Sequence, residues 1–376
     1  MIKILFFIEK LDGGGAEKVL RNLVNSMDQS KFDITVHTLW KYDGQKLLAP
    51  GIRYRYCYNQ PFSLEKTVKS RFFNMLFRAE AALNLVYPIH VKDDYDIEIA
   101  YLECGATKVI ASSTNKKAKK LAWVHCELQK AISDIDKFVS NSLPRYRKFF
   151  NVVCVSEYVQ QDFLNIFGEK IQTTVIYNTI DDAAVIAKSL SIPKELTKKK
   201  FTIVIVGRMY PQKNYSRLLA ATKRLLHDDG YDFDLWILGD GEDRYNIATT
   251  VSEGNLQNNV ILWGFRDNPY PFIAMADLLV CSSNYEGFST FITEGLILGR
   301  PIVTTDCSGM RELLGDSEYG LITENDDDAF YEGMKRMLSD DALRAHYTAQ
   351  AERRGRDFRR ERLVQTTEDY FEQLVK

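Results

Sequence analysis

Short strand-like runs alternate with helix-like runs along almost the whole chain, and this alternation restricts the fold more than any other feature. Residues 2–8 form an apolar run of strand length, and residues 16–27 then place apolar side chains three and four positions apart, as an amphipathic helix does. The same order recurs, and we predict further strands at 33–39, 97–102, 121–124, 152–156, 201–206, 233–238, 260–263, 277–281 and 301–305. Alternating β and α units favour a mostly parallel sheet with helices on both faces.

The predicted strands fall into two series that are separated by residues 181–200, which end in the polar run KELTKKK. We predict a domain boundary or linker there. A chain of 376 residues is long enough for two domains, so the expected fold class is α/β with two doubly wound, Rossmann-like domains at 1–180 and 200–355. Ligands bind such sheets at the carboxyl ends of the strands, and two such domains facing each other form a cleft suited to a site.

Composition and charge exclude several classes of protein. Apolar residues make up 45% of the chain and charged residues 27%, which argues against a disordered or fibrous protein. The net charge of −2 argues against nucleic acid as a partner. Residues 1–178 nevertheless carry 25 basic and 19 acidic side chains, which indicates an anionic partner for this half unless the imbalance is random surface variation.

The six cysteines form no C-x-x-C pair, and several lie in apolar runs of strand character. This pattern favours reduced, buried thiols in a cytoplasmic protein over a disulfide framework or a zinc site. The apolar run 2–8 is too short to span a membrane and lacks the cleavage site of a signal peptide, and no other apolar run reaches twenty residues. We therefore expect a cytoplasmic protein that at most attaches to the inner face of the membrane.

Three consecutive glycines, Gly13, Gly14 and Gly15, separate the first strand from its helix. Glycine lets a backbone approach a ligand closely, and the N-terminus of the following helix suits a phosphate group. The dinucleotide fingerprint G-x-G-x-x-G is absent, because Lys18 stands at its last glycine position. A plain tight turn explains the run equally well.

A second motif, Gly207-Arg208 followed by Lys213-Asn214, comes directly after the predicted strand 201–206. Asn214 is suited to cap the next helix, which leaves both cations at the carboxyl end of the strand. A diphosphate fits them, since arginine binds phosphate through a bidentate fork and lysine as a point charge. The alternative is a pair of solvated surface cations.

The most informative motif combines Glu286-Gly287-Phe288-Ser289 with Glu294. If a helix begins near Ser289, Glu294 lies about 8 Å along its axis at ~1.5 Å per residue, so an extended ligand can contact both carboxylates. Carboxylates accept hydrogen bonds from sugar hydroxyls, and the backbone N–H groups of residues 287–289 suit phosphate or hydroxyl oxygens. The alternative is one surface glutamate and one that complements the helix dipole.

These motifs together resemble glycosyltransferase family 4, whose members are retaining enzymes of the GT-B fold. The stretches that carry the resemblance are GRMYPQKN at 207–214, GDG at 239–241, YEGFSTFITEGLILGRPIVTTD at 285–306, GGGAEKVLRNLV at 13–24, VCVSEYVQQDF at 153–163 and VIYNTID at 175–181. Within the family, the chain is most similar to bacterial enzymes that build capsular, exopolysaccharide or lipopolysaccharide sugars. The resemblance implies a nucleotide-sugar donor, a UDP-sugar above all, and a saccharide or lipid-linked saccharide acceptor.

The resemblance also implies a role for each motif. Arg208 and Lys213 would bind the donor diphosphate and stabilise the charge that develops on it. Glu294 would hold the ribose, and Glu286 would contact the transferred sugar. His125 matches a family position near the transferred sugar and the acceptor, and its alternative is a core or capping histidine. The implied catalytic residues are Arg208, Lys213, Glu286 and His125, and the implied donor-binding residues are Gly14, Gly15, Gly207, Phe265, Arg266, Gly287, Phe288, Ser289, Thr290 and Glu294.

By the same resemblance, residues 1–180 would bind the acceptor, a C-terminal helix at about 359–376 would pack back on this domain, and residues 200–355 would bind the donor. No metal cofactor is expected. Metal-dependent glycosyltransferases carry an Asp-x-Asp signature, and its superficial match, Asp326-Asp327-Asp328, is interpreted as a helix start. The alternative functions are a non-catalytic sugar-nucleotide-binding subunit of a glycosyltransferase complex and a GT-B epimerase or phosphorylase.

Basic and aromatic residues are mixed at 62–90, 116–120 and 145–150. A basic amphipathic segment can lie on an anionic membrane surface, which fits an acceptor that is carried on a lipid. The alternative is a helix that packs on the core and exposes a solvated face.

Overall fold

The computed structural model describes residues 1–11, 14–59 and 68–376. These residues form two compact units: unit 1 consists of residues 1–179 and 361–376, and unit 2 of residues 180–360. Each unit contains a parallel β-sheet with connecting helices. The predicted α/β class with two doubly wound domains is therefore confirmed.

Within the described ranges, the sheet of unit 1 has seven parallel strands in the order β3-β2-β1-β4-β5-β6-β7. The strands are β1 (Ile2–Ile8), β2 (Phe32–Trp40), β3 (Arg53–Tyr58), β4 (Ile97–Ala100), β5 (Lys119–Val124), β6 (Asn151–Cys154) and β7 (Thr173–Val175). The helices are α1 (Gly15–Ser26), α2 (Val68–Ala82), α3 (Val86–His90), α4 (Gly105–Ile110), α5 (Leu128–Ala131), α6 (Ile135–Tyr146), α7 (Glu157–Phe167) and the C-terminal α16 (Arg360–Val375). Because β1 pairs with β2 on one side and β4 on the other, the strand order reverses between β1 and β4.

The core of unit 1 is built around β1. Its residues from Ile4 to Ile8 are fully buried, as expected for a strand that is covered on both faces. Phe371 of α16 packs edge-on against Phe6 and Phe32, with ring centroids 6.1 and 6.4 Å apart. Burial of such a ring stabilises the fold by about 1.5–3 kcal/mol, and it attaches the C-terminal helix to unit 1.

In the described part of unit 2, six parallel strands have the order β10-β9-β8-β11-β12-β13. The strands are β8 (Phe201–Val206), β9 (Phe233–Leu238), β10 (Val260–Gly264), β11 (Leu278–Cys281), β12 (Ile302–Thr305) and β13 (Leu321–Thr323). The helices are α8 (Asp182–Ser189), α9 (Tyr215–Lys223), α10 (Arg244–Glu253), α11 (Tyr270–Met275), α12 (Thr290–Ile297), α13 (Met310–Leu314), α14 (Asp327–Ser339) and α15 (Asp341–Gly355). The strand order reverses between β8 and β11.

The boundary between the two units falls between residues 179 and 180, directly before the predicted segment 181–200, and the segment itself is part of unit 2 rather than a linker. Residues 182–189 form α8, in which Val185 is buried. Leu196 is buried as well, and Lys198 Nζ pairs with Asp277 Oδ1 at 2.6 Å. The apolar side chains within this polar stretch anchor it to unit 2.

The thiols are all free, as predicted, but they are not all buried. Cys154, Cys281 and Cys307 are buried, whereas Cys104 is exposed in the turn after β4. In the described part of the chain, the helices are too short or too polar to cross a lipid bilayer.

Candidate active site

Two loops lie side by side at the carboxyl edge of the sheet of unit 2. The β8 loop (residues 207–214) follows β8, and the β11 loop (residues 282–289) follows β11. These two strands are neighbours at the point where the strand order reverses, which is where open α/β sheets bind ligands. The structure therefore brings the second and third sequence motifs together.

A buried ion pair joins the β8 and β11 loops. Lys213 Nζ donates to Glu286 Oε1, and the Ser283 hydroxyl donates to the same oxygen at 2.7 Å. The side chains of Lys213 and Glu286 are only 17% and 8% exposed. Burial lowers the pKa of Lys213, but the charge of Glu286 and its hydrogen bond outweigh burial and raise this pKa above its usual value. The lysine therefore stays charged at physiological pH and can stabilise an anionic ligand.

Hydrogen bonds between the β8 and β11 loops fix the geometry of this pair. Asn284 N donates to Gln212 O at 2.8 Å, and the side-chain amide of Gln212 donates to Tyr285 O at 2.8 Å. The Ser282 hydroxyl donates to Lys213 O at 2.8 Å. Each loop thus holds the backbone of the other.

Asn214 ends the β8 loop and caps α9, as predicted. Its backbone is left-handed, with φ of 46°, and its side chain accepts the N–H of Arg217 at 3.2 Å. Asparagine tolerates this conformation better than most residues. The cap therefore ends the loop directly after Lys213.

Arg217 is a site-forming residue that the sequence motifs did not single out. Its buried guanidinium donates to Asn325 Oδ1 at 2.6 Å and to Asp327 Oδ1 at 2.8 Å. It also donates to Ser282 O at 3.4 Å, so it ties the β11 loop to the start of α14. One signal was available, because a cation in the first turn of a helix opposes the helix dipole and therefore implies a specific partner.

The turn Gly239-Asp240-Gly241 packs against the backbone of the β8 loop. A Cβ on Gly239 would lie 1.8 Å from Gly207 O, and one on Gly241 would lie 2.4 Å from Met209 O. Met209 N also donates to Asp240 O at 2.9 Å. The two glycines are therefore needed for close backbone approach, so this turn has a structural role in supporting the β8 loop.

Glu294 is buried inside unit 2, in the second turn of α12. Its side chain is 3% exposed, and the Tyr270 hydroxyl donates to Glu294 Oε1 at 3.4 Å. A carboxylate that only complemented the helix dipole would be expected at the surface of the first turn. The burial of Glu294 therefore disfavours that alternative.

Residues 287–289 connect Glu286 to α12, which begins at Thr290 with Ser289 as its N-cap. All three are buried. A Cβ on Gly309 would lie 2.4 Å from Gly287 O, so a second loop approaches here backbone to backbone. The Phe288 ring packs against Phe358 with centroids 6.0 Å apart, which gives this side chain a packing role.

Three predicted site residues of unit 2 are accessible to solvent. Arg208 is exposed in the β8 loop, and Phe265, just after β10, is 60% exposed. Arg266 Nη1 lies 3.5 Å from Glu195 Oε1, and its guanidinium lies 5.4 Å from the ring centroid of Trp263. An exposed aromatic ring beside a cation can stack on a planar ligand.

The glycine run of unit 1 is only partly described, because Gly13 lies outside the described residues. Gly14 precedes α1 as its N-cap with an extended backbone, and α1 begins at Gly15. A Cβ on Gly15 would meet no atom within 4 Å. Packing therefore does not require glycine at this position, and the approach of a ligand to this loop stays a prediction.

His125 lies at the carboxyl edge of unit 1, directly after β5. Its half-buried ring lies 4.8 Å from the ring centroid of Tyr101. Burial lowers the pKa of His125 to about 3, although a hydrogen bond to the backbone of Tyr101 acts in the opposite direction. The imidazole is therefore neutral at physiological pH. Two carboxylates at the same edge, Glu9 and Glu103, were not singled out from the sequence.

The three consecutive aspartates act as the predicted helix start. Asp326 accepts the N–H of Ala329 at 2.9 Å, and α14 begins at Asp327. Asp327 and Asp328 form ion pairs with Arg217 and Arg224, at 2.8 and 2.5 Å. Across residues 1–11, 14–59 and 68–376, no three histidine, cysteine or acidic side chains cluster closely enough to hold a metal ion.

Residues 188–354 match the family model of glycosyl transferases group 1. The chain is 37% identical over 186 residues to the N-acetylgalactosamine-N,N'-diacetylbacillosaminyl-diphospho-undecaprenol 4-alpha-N-acetylgalactosaminyltransferase of Campylobacter jejuni, a match that covers 49% of each chain. It is 30% identical over 143 residues to the lipopolysaccharide core biosynthesis glycosyltransferase LpsE of Rhizobium meliloti, which covers 38% of this chain and 41% of the relative. The chain thus spans about half the length of the curated relatives it matches.

Solved structures share the fold over the whole chain. Anabaena Alr3699/HepE in complex with UDP has a TM-score of 0.77 at 18% identity and covers 99% of this chain and 100% of that one. Sucrose-phosphate synthase from Thermosynechococcus elongatus has a TM-score of 0.76 at 18% identity, with 100% and 99% covered. The predicted GT-B fold is confirmed by these likenesses.

Proposed function

We propose that this chain, whose residues 188–354 match the family model of glycosyl transferases group 1, is a retaining glycosyltransferase that moves a sugar from a UDP-sugar to a saccharide or lipid-linked saccharide. The observation that carries the proposal is the buried Lys213–Glu286 pair at the point of strand reversal in unit 2. The relative from Campylobacter jejuni acts on a diphospho-undecaprenol-linked sugar, and the HepE structure holds UDP. These two facts support the donor and acceptor classes, and the similarity to LpsE, a lipopolysaccharide core biosynthesis glycosyltransferase, supports a role in cell-envelope polysaccharide biosynthesis.

The chemistry follows from where charge develops. When the bond between the anomeric carbon and the donor phosphate breaks, negative charge grows on the leaving diphosphate, and fixed cations stabilise it. A lysine ammonium has three N–H donors, so Lys213 can bind Glu286 and a phosphate oxygen together. Arg208 is exposed in the same loop and supplies a bidentate fork. Glu286 accepts hydrogen bonds from hydroxyls of the transferred sugar, and Glu294 from those of the ribose.

We further propose that the reaction needs no metal ion. Asp326, Asp327 and Asp328 are engaged in a helix cap and in two ion pairs with arginines. Their carboxylates therefore already have structural partners, and the cations of the β8 loop can balance the diphosphate charge.

A nucleotide-sugar screen tests the donor site. We expect one nucleotide class among UDP-, GDP-, ADP- and dTDP-sugars to raise the melting temperature, with and without EDTA. Saturation at about 100 times Kd corresponds to about 2.7 kcal/mol. Glu294→Gln is expected to lose this ligand-induced shift, because the amide no longer accepts both ribose hydroxyls. The exposed Glu253 at the end of α10 supplies the control, Glu253→Gln.

The outcomes of the screen test the donor site, the metal independence and the catalytic activity separately. No shift with any nucleotide sugar would refute the donor site, and a shift that EDTA abolishes would refute metal independence. Slow hydrolysis of the bound donor by the chain alone distinguishes a catalyst from a non-catalytic binding subunit, which would bind the donor and leave it intact.

We also propose that the protein is cytoplasmic and attaches to the anionic inner face of the membrane through α2. Phe72 and Met75 of this helix are 53% and 63% exposed, and Leu83, just after it, is 68% exposed. Phe73 and Phe77 contact Tyr58 instead, at ring distances of 6.1 and 6.4 Å. The outer side of the helix thus exposes large apolar side chains together with the cations Arg71 and Arg78, and exposed apolar patches of this kind mark interaction surfaces.

The structure separates the basic segments that the sequence grouped together. Residues 60–67 lie outside the described residues. α2 packs on Tyr58 and Trp40, which end β3 and β2. Lys119 begins β5 and lies over the Phe150 ring at 4.3 Å, at the amino edge of the same sheet. A flat membrane can contact only one edge of the sheet at a time. We therefore propose the outer side of α2, beside the carboxyl edge of the sheet, as the membrane-binding surface.

Vesicle sedimentation tests the membrane surface. The chain is expected to sediment with anionic vesicles at low salt and less so at high salt, where charges are screened. Phe72→Glu with Met75→Glu is expected to weaken binding more than tenfold, since each buried side chain contributes about 1.5–3 kcal/mol. Lys116→Glu with Lys117→Glu, at the amino edge, serves as the matched control. Equal recovery in the supernatant with and without vesicles would refute the surface.

A further inference from the structure

A second point of strand reversal lies in unit 1, between β1 and β4. Glu9 follows β1, Glu103 follows β4, and His125 follows β5, which is the next strand along the sheet. The carboxyl ends of these parallel strands meet at one edge, where ligands bind in such sheets. Two carboxylates and an imidazole therefore lie at this edge of the sheet.

Glu103 is bonded to the loop that carries the histidine. Its Oε1 accepts the backbone N–H of His125, and the backbone N–H of Cys126 bonds to the same carboxylate. Burial raises the pKa of Glu103, and these N–H groups act in the opposite direction. At the far end of the loop, Asp162 Oδ2 accepts Leu128 N at 2.7 Å. The loop is thus held by one carboxylate at each end.

The turn that positions Glu103 has a constrained backbone. Cys104 has a φ of 66°, a conformation that an ordinary side chain rarely adopts. Glu9 Oε1 accepts Gly105 N at 2.8 Å, and a Cβ on Gly105 would lie 2.2 Å from that oxygen. Backbone strain of this kind persists only where the surroundings enforce it, and it is concentrated at functional sites.

The histidine ring has one nitrogen that the protein does not use. A ring N–H of His125 bonds to the backbone of Tyr101, whereas Nε2 is buried and has no hydrogen-bond partner among the described residues. In a neutral imidazole with Nδ1 protonated, Nε2 is an acceptor. A buried acceptor without a partner is costly, and a substrate hydroxyl would satisfy it.

We propose that Glu103 is a positioning residue for sugar transfer, which by holding the backbone N–H of His125 presents the unprotonated Nε2 to a hydroxyl of a saccharide substrate. The catalytic part of this inference rests on the proposed function. The positioning part concerns only the loop and the ring, so it can be measured without any substrate.

NMR of protein labelled with ¹⁵N-histidine tests the positioning directly. The chain has five histidines, and His125→Asn assigns the resonances of residue 125. We expect the wild-type ring to show an unprotonated Nε2. In Glu103→Ala, the amide proton of His125 is expected to move upfield and the ring to become a mixture of tautomers. In Glu103→Gln, the amide proton moves upfield because a charge-assisted bond becomes a neutral one, and the tautomer is retained.

A matched control separates positioning from general destabilisation. Glu98 is a buried carboxylate in β4 that accepts the Tyr87 hydroxyl at 2.6 Å, and Glu98→Gln is expected to leave the His125 resonances in place. A protonated Nε2 in the wild type would overturn the proposal. So would His125 resonances that Glu103→Ala and Glu103→Gln leave unchanged. The glutamine variant keeps the test decisive if the alanine variant does not fold.

Kinetics then test the consequence for transfer. Glu103→Ala is expected to lower kcat by about 10²-fold, the cost of misplacing a reacting group by 1 Å, with little change in the KM for the donor. Glu103→Gln should recover most of the rate. NMR results as expected with no transfer by the wild type would refute the proposed function and keep the positioning. Transfer by the wild type with unchanged His125 resonances would refute the positioning alone.

Discussion

Replacing Lys213 by alanine is expected to lower the rate of sugar transfer by about 10²- to 10³-fold, as loss of one fixed donor to a developing anion does. The same change leaves Glu286 buried without its cation. Removal of one partner of a buried pair typically destabilises a protein by about 3–5 kcal/mol. The variant should therefore be both less active and less stable, which makes a second change necessary to separate the two effects.

The double variant Lys213→Ala with Glu286→Gln supplies that separation. It removes the unpaired charge, so the free energy of unfolding should recover in part, whereas transfer should stay low because the diphosphate still lacks its lysine. Kinetics with a saturating donor and denaturant unfolding of the wild type, Lys213→Ala and the double variant measure both quantities. Lys335→Ala is the control, since Lys335 pairs with Asp229 at the surface of unit 2 and exposed pairs of this kind contribute little to stability. Transfer by Lys213→Ala within tenfold of wild type would contradict the assignment of this lysine.

The strands could be predicted from the sequence where both of their faces are buried, because such strands are continuous runs of apolar residues. β8 and β9 begin and end at the predicted residues, because five of the six positions in each strand are apolar, with Thr202 and Asp234 as the single polar residues. β3 was not predicted, since its sequence RYRYCY is half polar and half aromatic. β7 and β13 have three residues each, which is too short for any period to stand out.

The residues of the candidate site could be predicted where charged side chains closely follow a predicted strand within one short motif. Lys213 and Glu286 each follow a predicted strand closely, so the carboxyl edge of the sheet was the expected position for both. Their direct ion pair was not predictable, because it depends on the interlocking of two loops that lie 73 residues apart. The role of Glu103 was not predictable for a related reason. Its partner is a backbone N–H 22 residues away, and a contact with a backbone group does not require any particular side chain at that position.

Gly239 supports the β8 loop through backbone contact alone, and its replacement by alanine should have a large effect. A Cβ there would lie 1.8 Å from Gly207 O, and the Tyr215 hydroxyl, which donates to that carbonyl at 3.1 Å, opposes its displacement. The φ of 136° is also unfavourable for alanine. Overpacking costs about 1–3 kcal/mol and the backbone strain about 1–2 kcal/mol, so we expect a total loss of about 2–5 kcal/mol.

Gly230→Ala is the matched control for backbone strain without a clash. Gly230 has a φ of 73°, and a Cβ on it would meet nothing within 4 Å, so its replacement should cost only about 1–2 kcal/mol. Gly239→Ala should in addition weaken donor binding and transfer, because the loop that carries Lys213 has to move away from the new methyl group and a displacement of 1 Å can cost about 10²-fold in rate. Denaturant unfolding and donor kinetics of both variants provide the comparison. Equal losses in the two variants would mean that the close approach of Gly239 to Gly207 does not support the site.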